Sequence, residues 1–197
     1  MEPTAVRLAR PQRADARRNR ERILEAAKTA FAGDGHAQIE EIARQAGVGV
    51  GTVYRHFPTK EALVGELVSE RLLVFLRNAT EALETISDPW EALEATLRRN
   101  AEVVSRDAAL QQTLMRDAAA WRYAERPRAD LLAVTAKLID RAKATGAVRE
   151  DLRAEDVPML MCGVCSVMAA GGGPGGQMDW RRHFEFTLDS LRPPMTR

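Results

Sequence analysis

Apolar residues recur along this chain at intervals of three and four and rarely alternate, which predicts helices almost throughout and no sheet. From about Asp15 the stripe Ile23, Leu24, Ala27, Ala30 and Phe31 follows one helical face until Gly33-Asp34-Gly35 stops it. Two short helical segments come next, residues 39–46 and 50–57, with Gly47 between them. Pro58 and Thr59 then punctuate the chain, and Thr59 is suited to cap a long helix burying Leu63, Leu67, Leu72, Phe75, Leu76, Ala79, Leu83 and Ile86. Asp88-Pro89-Trp90-Glu91 places a capping acid, a proline at the first helical position and a glutamate three residues after the cap, so another helix starts there and runs to about Ser105. Residues 107–123 read as less regular, and a helix over residues 127–145 ends at Gly146. Residues 157–170 are apolar on nearly every face and must be covered on several sides. A glycine-rich run, residues 171–176, precedes a last helix carrying Trp180, Phe184, Thr187, Leu188 and Leu191.

The pattern therefore predicts an all-α chain with an N-terminal three-helix domain and a C-terminal helical domain. The boundaries fall at residues 1–14 for a basic flexible arm, 15–62 for the first domain and 63–197 for the second. With 45% hydrophobic and 29% charged residues, 197 residues suffice for a sizeable core. No run approaches the roughly 18 uninterrupted apolar residues of a membrane span, and the N-terminus leads into no apolar signal segment, so a cytoplasmic protein is expected.

Net charge is only +1, but it is unevenly spread. Residues 1–60 hold 11 basic against 7 acidic side chains, net +4, and residues 61–197 hold 18 against 21, net −3. Seven arginines lie between Arg7 and Arg22, an arrangement suited to meeting a polyanion.

The segment from Gln38 to Leu63 carries the most chemistry. Ile42, Ala43, Ala46, Val48, Val53 and Phe57 are spaced to seal a small core between two short helices, with Gly47 at a turn that needs a left-handed backbone. The outer face of the second helix is then Gly49, Gly51, Thr52, Tyr54, Arg55 and His56. Small residues at its start permit close approach to a groove, and the polar groups that follow suit phosphates and base edges.

This segment resembles the helix-turn-helix of the tetracycline-repressor (TetR) family, whose pattern is matched by Ile42, Ala43, Ala46, Gly47, Val48, Gly51, Thr52, Val53, Tyr54, His56, Phe57, Lys60, Glu61 and Leu63. With the preceding helix, the resemblance covers about residues 17–65. It implies a transcriptional regulator, a repressor by family habit, that binds double-stranded operator DNA as a homodimer. Thr52, Tyr54, His56 and Lys60 would meet phosphates, while Val50, Gly51 and Arg55 would face bases. The family pattern usually has threonine or serine where this chain has Gln38, and often serine where it has Gly49.

The resemblance also implies that the C-terminal domain makes the dimer and encloses an effector pocket. Candidate wall residues are Trp90, Leu93, Leu97, Met115, Trp121, Tyr123, Leu138, Met159 and Cys162, whose aromatic and thioether groups suit a small apolar or aromatic effector. Arg98 could meet an anionic one. Candidate dimer residues are Val157, Val164, Trp180, Phe184, Leu188 and Leu191. The competing reading fills the same region with solid core and leaves a regulator without a small ligand, controlled by its level or by a protein partner. No enzyme is expected: nucleophile elbow, HExxH and paired-carboxylate motifs are all missing. Cys162-Gly163-Val164-Cys165 has metal-ligand spacing, but only His36, His56 and His183 could complete a set, so it reads as core thiols with no metal and no cofactor.

Overall fold

The computed structural model describes residues 9–33, 37–170 and 179–194, the side chains of residues 9–13 excepted. Among the described residues the chain is helical without strands: α1 Ala9–Gly33, α2 Ile39–Ala46, α3 Val50–His56, α4 Lys60–Thr85, α5 Pro89–Ser105, α6 Ala108–Arg116, a 3-10 turn Ala120–Ala124, α7 Glu125–Ala144, α8 Asp156–Ala170 and α9 Trp180–Leu191.

Local chemistry sets most of these ends. Thr59 accepts the Ala62 amide at 3.1 Å and starts α4, and Asp88 accepts the Glu91 amide at 2.8 Å with Pro89 next in line. Gly47 ends α2 at φ 62°, its amide donating to Ala43 and Arg44, and Gly146 at φ 67° follows α7. Two boundaries differ from those expected. Helix α1 begins at Ala9, so residues 9–14 of the expected arm are helical, and residues 1–8 and the glycine run at 171–176 lie outside the described residues. Residues 108–116, expected to be irregular, form α6, because Leu110 and Leu114, one turn apart, are both drawn into a core.

The fold has two apolar cores joined by α4. The first gathers Ile23, Phe31, Ile42, Val53 and Phe57 from α1–α3 with Leu63, Leu67 and Leu72 from the first half of α4. It also takes in Leu110 and Leu114 of α6 and Ala120 and Ala124 of the 3-10 turn. The three N-terminal helices thus share a core with elements far along the sequence. The second core contains Ala79 from the far half of α4 with Trp90, Leu93, Leu97, Leu138, Ile139, Phe184, Leu188 and Leu191. One continuous helix therefore contributes side chains to both cores.

Helix α8 departs from its expected burial. Although its sequence is apolar on nearly every side, Val164 is the one of its residues that is fully buried, and Met159 is 68% exposed. Cover on several sides is expected from sequence, part of it from a second copy through Val157 and Val164.

Candidate nucleic-acid interface

The first core holds two short helices at a fixed turn. Gly47 closes α2 in the left-handed conformation, and Arg22 Nη2 reaches from α1 to donate to its carbonyl at 3.3 Å. A Cβ on Gly47 would stand 2.5 Å from that guanidinium, so the position is constrained both by its φ and by its neighbour. The seven residues of α3 follow Gly49 at the N-cap, which offers no capping side chain, and Gln38 does not cap α2 through its side chain. Both departures from the family pattern thus leave helix N-termini without side-chain caps, and at α3 the Thr52 amide instead donates to the Gly49 carbonyl at 2.8 Å.

Val53 and Phe57 turn inward, at 0% and 4% exposure, which fixes the opposite side of α3 outward. Gly51, Tyr54 and Arg55 are exposed, and Thr52 and His56 are half-buried beside them. No other group lies within 4 Å of a Cβ built on Gly49 or Gly51, so the start of the helix is bare enough for a polynucleotide backbone to come close. Arg55 Nη2 rests 3.4 Å from Thr52 Oγ1, a long contact that leaves most of its five donors unused. Lys60, half-buried, stands with Nζ 5.5 Å above the Phe31 ring at the start of α4. Val50 behaves differently from expectation: it is half-buried and packs against the first core, so its side chain supports α3 as well as flanking the exposed face.

Glu41 on α2 is held by its neighbours. Arg44 donates to both of its oxygens, at 2.5 and 2.8 Å, and Gln45 donates at 2.7 Å. These hydrogen bonds bring its carboxyl down to about 2. The pair keeps a carboxylate close to α2 while Tyr54, Arg55 and the start of α3 present donors.

Comparison with known proteins is consistent with this geometry. Residues 23–67 match the profile of bacterial regulatory proteins of the tetR family, and residues 88–193 match the C-terminal domain of SbtR-like transcriptional regulators. A TetR transcription regulatory protein from Mycobacterium vanbaalenii is 34% identical, with a TM-score of 0.59 and coverage of 92% of this chain and 99% of that one. This chain belongs to the TetR family. A TetR regulator from Streptomyces coelicolor is 30% identical at a TM-score of 0.56, covering 89% and 99% of the two chains. HTH-type transcriptional regulators of Staphylococcus aureus are 31% identical over 87 residues; the match spans 43% of this chain and 47% of theirs. FadR from Bacillus subtilis, solved with stearoyl-CoA, shares the fold at a TM-score of 0.72 and 19% identity. TetR-family proteins are DNA-binding regulators that act as dimers and are not enzymes. Among the described residues, no helix of this TetR-family chain is long and apolar enough to cross a membrane.

The other residue sets singled out from sequence are dispersed. Trp90, Leu93, Leu97 and Leu138 lie inside the second core at 8% exposure or less. Trp121 packs on the first core and donates from Nε1 to the Leu114 carbonyl at 3.2 Å. Tyr123 is 45% exposed, Met159 faces outward, and Met115 and Cys162 are half-buried. These nine residues do not line one cavity, because helical periodicity records which side is apolar and not which core receives it. Arg98 is not free for an anionic ligand: it binds Glu185 with both terminal nitrogens, at 2.6 and 2.8 Å, and Glu94 through Nε at 2.8 Å. Burial pushes the Cys162 and Cys165 thiols up, Cys165 to about 11, which keeps both protonated.

Four of the six candidate dimer residues, Val164, Phe184, Leu188 and Leu191, are covered by the chain's own second core. The uncovered strip nearby runs instead through Met159, Gly163 and Ser166 of α8, with Phe186 of α9 at 57% exposure. Val157 and Trp180 lie half-buried.

An open cavity of about 250 Å³ occurs where α1, α4, α5 and α6 meet, against Leu67, Leu110 and Leu114 of the first core. Sequence reasoning missed it. The available signal was Arg71, a charge set within the apolar run of α4.

Proposed function

We propose that this chain is a cytoplasmic repressor that binds a two-fold operator as a homodimer and leaves it when a small effector binds the C-terminal domain. The observation that carries the DNA-binding part is the outward face of α3, where Gly51, Tyr54 and Arg55 stand exposed beside a bare helix start. Tyr54, Thr52, His56 and Lys60 hold phosphates, and Arg55 reads a base edge with its free fork of donors. Gly51 admits the groove wall.

The dimer forms through α8 and α9. Met159, Gly163 and Ser166 occupy one face of α8 by their spacing of four and three, and Phe186 stands exposed on the adjoining helix. An apolar helix with one fully buried residue needs a partner, and a second copy supplies the same strip by symmetry. Dimerisation sets two α3 helices to meet major grooves about 34–36 Å apart.

The filled second core around Trp90, Leu93, Leu97 and Leu138 favours a second reading, a dimeric regulator without a small ligand. The cavity at the junction of α1, α4, α5 and α6 favours release by an effector. Selection of DNA fragments by the purified protein, followed by anisotropy titration, tests the first part: a two-fold sequence with half-sites about one helical turn apart is expected, and sequence-independent binding alone overturns it. A thermal-shift screen with the operator titration repeated in the presence of each hit separates the two modes of release. A ligand at 100 times its dissociation constant adds about 2.7 kcal/mol.

A further inference from the structure

We propose that Arg122, in the 3-10 turn of the C-terminal domain, contacts the DNA backbone directly, beside the contact assigned to Lys60. Three of the turn's five residues face inward. Ala120 and Ala124 are fully buried in the first core, and Trp121 packs against it with Nε1 donating to the Leu114 carbonyl at 3.2 Å. That leaves Arg122 and Tyr123 as the outward pair, both exposed.

The turn is fixed against the N-terminal half of α4. Tyr123 lies over Gly65, where a Cβ would meet it at 2.6 Å, and the Tyr123 carbonyl accepts the Ser69 hydroxyl at 3.2 Å. Glu61, Gly65 and Ser69 follow at intervals of four, so one face of α4 runs from the turn down to the residue next to Lys60. Helix α7 leaves the turn in the other direction, alongside α4, because Arg141 near its end donates to the Leu83 and Ile86 carbonyls at 2.8 and 3.2 Å. The turn is therefore the end of this helix pair that lies toward Lys60.

Arg122 keeps its charge available. Among the described residues it forms no ion pair; its guanidinium rests 5.1 Å from the Tyr123 ring centre, a contact that orients the cation without neutralising it. Its field does reach the start of α4. The Glu61 carboxyl is held below the usual carboxylate range first by its own backbone amide and the Thr59 hydroxyl, and then by the charges of Arg122 and Lys60. One carboxylate thus feels both cations. Arg20 of α1, by contrast, is committed to Glu66 of α4 at 2.5 Å. Duplex DNA carries one negative charge per about 1.7 Å of its axis, so a second fixed cation near Lys60 meets a neighbouring phosphate. The inference rests on the proposed docking of α3 and the start of α4 on DNA, and it gives the C-terminal domain its own hold on the operator.

Wild type, Arg122→Ala, Arg122→Lys, Lys60→Ala and Arg153→Ala are titrated by anisotropy against the selected operator and a scrambled duplex at several salt concentrations, with circular dichroism and thermal unfolding to verify folding. Arg122→Ala is expected to weaken both duplexes alike, roughly fivefold at about 0.15 M salt, and to reduce the slope of log affinity against log salt by about one unit. Arg122→Lys should keep the slope. Arg153→Ala removes an exposed cation beyond the far end of α7 and should leave affinity and slope unchanged. Because Arg122 also offsets the charge of Glu61, Arg122→Ala is repeated in a Glu61→Gln background, where its loss of slope should persist. An unchanged slope in Arg122→Ala, with Lys60→Ala lowering it, overturns the contact and leaves the docking intact. Equal loss in Arg153→Ala overturns it by making net charge the cause, and a loss that vanishes in the Glu61→Gln background reduces Arg122 to a screen for that carboxylate. If neither Lys60→Ala nor Arg122→Ala alters the slope, the docking itself fails and takes the contact with it.

Discussion

Gly65 of α4 lies directly beneath Tyr123 of the 3-10 turn: a Cβ built on the glycine would stand 2.6 Å from Tyr123 Cβ and 2.7 Å from the Ala120 carbonyl oxygen. Ser69, one turn further along α4, donates its hydroxyl to the Tyr123 carbonyl at 3.2 Å. The turn is therefore seated on the half of α4 that begins at Lys60.

Gly65→Ala consequently inserts a methyl against backbone, and neither side yields by a rotamer change. Destabilisation of about 1–3 kcal/mol is expected from overpacking, partly offset by the better helix propensity of alanine. Denaturant unfolding measures it. An unchanged or raised midpoint shows that the turn is free to lift from α4.

Glu41 provides a pH test. Its folded-state carboxyl lies at about 2, held there chiefly by the hydrogen bonds from Arg44, against about 4.3 for an unfolded glutamate. A depressed carboxylate contributes stability that is fully present above the unfolded value and is lost as pH falls through the folded one. Comparing wild type with Glu41→Gln, the difference in unfolding midpoint should persist from pH 7 to about 5 and close between there and about 2. A difference that is constant across that range removes the Arg44 contact from the account.

How much of this was legible in sequence follows from the range of each interaction. The α2–turn–α3 unit was readable because Gly47, Val53 and Phe57 act within a few residues of one another, and the caps at Thr59 and Asp88 are equally local. Assigning Trp90 and Trp121 to one pocket failed because they enter different cores, a choice made by packing between distant segments. Helix α8 is hard to read for another reason: a sequence apolar on all sides does not say which side its own chain covers, so Val164, an interface candidate by sequence, faces inward, as do Phe184 and Leu188 of α9. The buried Asp107 oxygen that meets no donor is invisible without coordinates, since the residue type alone predicts a helix cap.

The corrected interface has its own test. Charges at Met159 and Phe186, introduced as Met159→Glu and Phe186→Glu, fall on exposed positions and leave the second core intact. Sedimentation should show monomers with retained helicity, and operator binding should fall at least tenfold. Charges at Phe184 and Leu188 should instead unfold the domain, because those side chains are 2% and 3% exposed. An undisturbed dimer in the outer double variant places the interface elsewhere.

Contacts with DNA divide by what they carry. Lys60 and Tyr54 present a cation and a phenol at the edge of the exposed face, positions suited to phosphates, whereas Arg55 projects from the last turn of α3 with most of its donors unused. Phosphate contacts position the protein without reading sequence, so Lys60→Ala and Tyr54→Phe should weaken operator and non-operator DNA by similar factors. Lys60→Ala should further reduce the slope of log affinity against log salt by about one unit, reflecting one fewer displaced counterion. Arg55→Ala should change that slope no more than Lys60→Ala does, yet cost about 1–3 kcal/mol of discrimination at one base position, seen as near-equal affinity for operators differing there. Titrations at several salt concentrations decide the matter. If Lys60→Ala keeps both affinity and slope, α4 does not approach the backbone; if Arg55→Ala weakens all sequences alike, the arginine is a phosphate contact and specificity must be sought in the bare turn from Gly49 to Gly51.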